Sequence, residues 1–176
     1  MSDPLSITAS VLTLITVSVK VTVLLRQFRD EVSGVDATLT GLLGDISNLQ
    51  QVLESMKDTF KQDEIKSNFQ ATGHAGNHWK NLARSLEDGV GTLRQLTTLL
   101  EGVNKTTSFL DGPRKQLRFN SAIDQIAIYR DQIQSYRAAL QLSLSTIILY
   151  VVSIFRTASF SLANRFHRGS SGHLWP

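Results

Sequence analysis

Residues 32–60 read VSGVDATLTGLLGDISNLQQVLESMKDTF. Within them Val32, Val35, Leu39, Leu42, Ile46, Leu49, Leu53, Met56 and Phe60 recur at alternating intervals of three and four. That is the spacing of one face of an α-helix, and held in register for so long it is a heptad seam. Ser33 and Asp36 offer a capping box at its start, so the spacing predicts a helix over about 33–61. An apolar seam of this kind needs other helices to cover it.

The rest of the chain supplies them. After Gln62–Gly76, which reads as a loop from its charges and glycines, Trp79, Leu82, Leu86, Leu93, Leu96, Leu100 and Val103 repeat the same spacing, with Gly89 in one seam position. This predicts a helix over about 77–103. Asp111-Gly112-Pro113 marks a fresh start, and Phe119, Ile123, Ile126, Ile133, Leu140, Leu144, Ile147 and Val151 extend a third seam over about 113–155. Arg130 and Arg137 take the intervening seam positions. Either they snorkel at the edge of the seam or the buried face turns toward Tyr129 and Tyr136.

The first segment is the most apolar. From Leu5 to Leu25 it has 13 apolar residues, seven Ser or Thr and a single charge, Lys20. Apolar residues on odd numbers over Leu5–Val11 and Val17–Val23 also fit a strand period. Asp3 as N-cap with Pro4 at the first helical position favours a helix over about 4–29. Ile7, Val11, Leu14, Ser18, Val21, Leu25 and Phe28 then form one face, and only Thr13, Thr16, Lys20 and Gln27 leave a polar stripe. Such a helix is close to the roughly 20 residues that span a bilayer, and in a bundle it is expected to be the most buried member. The fold expected is therefore all-α: an antiparallel four-helix bundle over residues 1–155, followed by a basic, disordered tail over 156–176.

Composition narrows the function. The 18 basic residues exceed the 15 acidic ones by the three arginines of the tail, Arg156, Arg165 and Arg168, so residues 1–155 are neutral and nucleic acid is not an expected partner. Without cysteine there is no disulfide, thiolate nucleophile or thiolate metal site. A charge at Asp3 and an overlong apolar run argue against a signal peptide. No Walker loop, His-Glu-x-x-His or nucleophile elbow occurs. His74 and His78 lack a third ligand, Glu87-Asp88 reads as a solvated helix face, and Asn104-Lys105-Thr106 is a glycosylation acceptor only in a secreted chain. The expectation is no catalytic residue, no cofactor, no metal and no small-molecule substrate in a cytoplasmic protein.

The opening Asp3-Pro4-Leu5-Ser6-Ile7 with Ala9-Ser10-Val11, ahead of a Leu-rich second helix, resembles the fungal N-terminal domain of STAND (NLR-like) proteins, also named after the azaphilone pigment cluster protein L. Ile133-Gln134-Ser135-Tyr136-Arg137 and Ala139-Leu140-Gln141-Leu142 are similar to the last helix of that domain. The resemblance spans roughly residues 1–150. It implies a HeLo-like bundle that acts as a signalling or cell-death module of a fungal immune-type receptor, its first helix released toward a membrane when the receptor oligomerises. The nucleotide-binding and repeat domains of such receptors do not follow within the 176 residues, so the chain reads either as a stand-alone homologue or as a truncated gene product.

Three functional classes follow. The first is a signalling module that contacts a membrane, anionic lipid included, or a second copy of itself through Leu5, Ile7, Val11, Leu12, Leu14, Ile15 and Val19. The second is an adaptor bundle that binds a partner helical domain through its seams. An integral membrane protein using Leu5–Leu25 and Ala138–Phe155 is disfavoured by Lys20 and by Gln141, Ser143, Ser145 and Thr146, because a charge at a helix centre costs about 2.5–3.5 kcal/mol on insertion scales.

Overall fold

A computed structural model describes the backbone of residues 4–31, 37–61, 76–105 and 112–169. It holds four helices, α1 (Pro4–Glu31), α2 (Ala37–Phe60), α3 (Gly76–Asn104) and α4 (Gly112–Gly169), and no strand among the described residues. Helix α1 packs on α2 and α3, and α4 packs on the same two. The helices thus stand in a ring in the order α1, α2, α4, α3, with chain neighbours α1/α2 and α3/α4 antiparallel. The proposed N-cap Asp3, the capping pair Ser33 and Asp36, and the seam positions Val32 and Val35 lie outside the described residues.

Each seam read from the sequence faces the core, with Ile123 only partly buried against it. Leu39 through Phe60 on α2 and Trp79 through Val103 on α3 line one continuous core, together with Phe119, Ile126, Ile133, Leu140, Leu144, Ile147 and Val151 of α4. The α1 face from Ile7 to Phe28 is buried in full, including Ser18, whose hydroxyl donates to the Ile15 carbonyl at 2.8 Å. The odd-numbered strand pattern therefore does not govern α1: its hydrogen bonds close within the helix. Aromatic pairs close the two ends of the bundle, Phe28 stacking on Phe119 with centroids 4.6 Å apart and Phe60 tilted against Trp79 at 5.8 Å.

Two expectations need correction. Helix α1 is not the most buried member. In a ring of four every helix keeps one outward face, so an all-round apolar sequence gains no central position; α3, buried along two adjacent rows (Leu82-Ala83, Val90, Thr92-Leu93, Leu96-Thr97), is covered more fully. Gly89 lies in this row. A Cβ built there would meet the Leu14 side chain at 3.5 Å, an ordinary contact.

The second correction concerns the end of α4, which continues helical to Gly169 instead of ending near Phe155 in a disordered tail. No Gly or Pro interrupts the chain between Pro113 and Gly169, and Ala158, Leu162 and Ala163 are good helix formers. The Ser- and Arg-rich composition concealed this. At 58 residues α4 is roughly 87 Å long, about twice its neighbours, and its last buried side chain among the described residues is Val151.

Candidate functional site

The seven residues proposed for membrane or oligomer contact divide by burial. Ile7, Val11 and Leu14 are in the core and Ile15 is partly buried against it, whereas Leu12 and Val19 are about half exposed, at 48% and 50%. The Leu5 side chain lies outside the described residues. Sequence reading missed Val23, 57% exposed. It completes an outward row, Leu12, Thr16, Val19 and Val23, at the same three-and-four spacing as the buried face, so the signal was present on the opposite side of the helix.

Along α1 three threonine hydroxyls donate within their own helix, and that of Thr22 also accepts from Gln50 Nε2 of α2 at 3.4 Å. Thr13 donates to Ala9 O at 2.8 Å, Thr16 to Leu12 O at 2.9 Å and Thr22 to Ser18 O at 3.0 Å. Hydroxyls satisfied by their own helix are cheap to remove from water. Lys20 is the exception. Its ammonium meets Glu101 of α3 at 2.7 Å on the surface, an exposed pair of the kind worth up to about 1 kcal/mol. At the same end, Asn104 Nδ2 donates to the Leu24 carbonyl at 3.1 Å, so the side chain of the glycosylation motif is committed to holding α1 against α3. Release of α1 requires breaking these ties, together with the Gln50–Thr22 bond to α2, and uncovering its buried face.

A second exposed apolar row lies on α4. Leu142 and Leu149 are both 70% exposed, with Ile148 and Val152 beside them. The stretch is free of charge from Ala138 to Phe155. Thr146 and Ser153 again donate to carbonyls of their own helix.

The polar interior was not anticipated. On the α2/α4 side, Asp45 Oδ2 accepts from Arg130 Nε at 2.7 Å and from Gln134 Nε2 at 2.8 Å. The Asp45 side chain is 12% exposed and that of Arg130 35%. Gly41, one turn before Asp45, makes the room: a Cβ at that position would stand 2.6 Å from Arg130 Cζ. The two readings of the seam arginines thus both hold in part, since Tyr129 is buried and Arg130 reaches across at the edge to an acid. Of the other sequence candidates, Glu87, Asp88 and His78 are exposed, and His74 lies outside the described residues.

Fold and surface define a helical-bundle domain whose first helix carries more apolar surface than its packing uses. The family model for the N-terminal region of pigment biosynthesis cluster protein PigL matches residues 2–160, and the chain belongs to that family. Comparison with curated proteins and with solved structures finds no match.

Proposed function

We propose that the domain is a non-enzymatic signalling module recruited from the cytoplasm to a membrane through α1, with oligomerisation as its output. The observation that carries this reading is the outward row of Leu12, Val19 and Val23 on a helix where Thr13, Thr16 and Thr22 donate to the carbonyls four residues earlier. Two of the helices, over Ser6–Asp30 and Gln116–Ser153, are long and apolar enough to cross a membrane. Length and composition of this kind also occur in the core helices of soluble proteins, so the exposed row is what distinguishes the two cases. Membership of a family resembling the N-terminal domains of fungal NLR-like receptors supports the signalling role.

Vesicle flotation of the intact chain tests the proposal, with neutral and anionic lipids, with and without mild urea. Binding that rises as the bundle is loosened is the expected result. Recovery in the soluble fraction under every condition would favour an adaptor bundle instead. That second reading draws on the α4 row of Leu142 and Leu149; the seams themselves are occupied within the core.

A further inference from the structure

The α2/α4 side is a ladder of polar residues in heptad register, and its rungs are not equally complete. On the upper rung Arg130 faces Asp45. Seven residues further along both helices stand Arg137 and Val52. The cation is repeated and the anion is not.

Around this lower rung the two helices leave an open groove of about 660 Å³, with Arg137, Gln141 and Ser145 of α4 and Asn48, Gln51 and Ser55 of α2 as its polar lining beside the apolar Val52 and Leu144. No carboxylate lines it. Arg137 Nε is buried and has no hydrogen-bond partner among the described residues, although buried guanidinium N–H groups in folded proteins are nearly always paired. The surrounding amides and hydroxyls are neutral groups able to donate.

We infer that the groove binds a phosphate ester whose anionic oxygens take the place of the absent carboxylate. A guanidinium fork pairs with phosphate through parallel charge-assisted bonds. Phosphate offers more acceptor oxygens than a carboxylate, enough to engage the amides as well. The groove is larger than a phosphate alone and falls in the size range of small-molecule sites, and its polar lining residues suit a polyol attached to the phosphate. That chemistry is shared by a soluble sugar phosphate and by the inositol headgroup of a phospholipid. The site stands apart from α1 and does not depend on membrane recruitment through that helix.

The test is NMR of the full chain, following the Arg137 Nε–H and the Gln141 side-chain amide during titration with inorganic phosphate and with inositol monophosphate, against sodium chloride at equal ionic strength. Vesicles of phosphatidylcholine with and without phosphatidylinositol form a second arm. Saturable shifts with a soluble probe identify a free phosphate ester as the ligand. Binding seen only with phosphatidylinositol vesicles identifies the headgroup. In either case Arg137→Met weakens binding by about tenfold or more, and Arg137→Lys restores part of it. Gln141→Ala with Ser145→Ala, both on exposed positions, weakens binding without disturbing the arginine, and thermal melts of all variants confirm folding. Shifts no larger than those with chloride, together with vesicle binding indifferent to Arg137→Met in a folded variant, overturn the inference.

Discussion

The Asp45–Arg130 pair lends itself to a double-mutant cycle. Arg130→Met removes the cation and leaves a carboxylate, 12% exposed, that still accepts from Gln134 Nε2 at 2.8 Å. Breaking a fully buried pair costs about 3–5 kcal/mol. Arg130 is about one-third exposed, so water screens part of the interaction and a loss of about 2 kcal/mol is expected. For a chain of this size that lowers Tm by roughly 4–8 °C. Asp45→Leu alone strands the guanidinium, which is better hydrated, and costs less. The double variant Asp45→Leu/Arg130→Met removes both charges and returns to within about 1 kcal/mol of the wild type, since apolar replacement of both partners is often neutral. Urea and thermal melts followed by circular dichroism give the four stabilities. Additivity within about 0.5 kcal/mol would reduce the pair to a surface contact.

Three further outcomes follow from packing. Leu14→Ala costs about 2–5 kcal/mol as a core truncation, while Leu12→Ala, two residues earlier on the outward row, leaves the urea midpoint nearly unchanged; equal losses would mean that α1 is rotated from its described position. Gly89→Ala raises stability by about 0.5–1 kcal/mol, because the new methyl meets Leu14 at ordinary contact distance and the helix gains propensity; a loss in thermal melts would show that the α1/α3 contact is tighter. Deleting residues 157–176 leaves Tm unchanged, the last buried α4 side chain among the described residues being Val151, and a collapse on deletion would assign the end of α4 a structural role.

Much of the fold was legible because it rests on local periodicity. The seams of α2, α3 and α4 and the α1 face from Ile7 to Phe28 are the buried faces, a direct result of the helical repeat. What periodicity does not encode is partnership across the chain. Asp45 and Arg130 lie 85 residues apart, and nothing local to either marks the other. An arginine in a seam position announces only that the seam has an edge there. The extent of α4 was hidden for a different reason: composition suggested disorder, yet the absence of any helix breaker before Gly169 carried the stronger information. For the candidate surface, apolar count alone mixed core residues such as Val11 with outward ones such as Leu12. The helical repeat separates them, since Val11 falls on the Ile7–Phe28 face and Leu12 on the opposite row.

Helix α1 carries an apolar face not needed for folding, and Leu12→Glu measures this directly. Leu12 is about half exposed, so a carboxylate there remains in water in the closed bundle and the thermal melt is expected to match the wild type. Against a membrane the same carboxylate opposes insertion, because acidic side chains near the centre of an inserted helix cost about 2.5–3.5 kcal/mol. Vesicle flotation of the two proteins side by side, with melts as the folding control, is predicted to show the wild type rising with the lipid and Leu12→Glu remaining behind with an unchanged Tm. Equal flotation of both, or no flotation of the wild type, would contradict the claim.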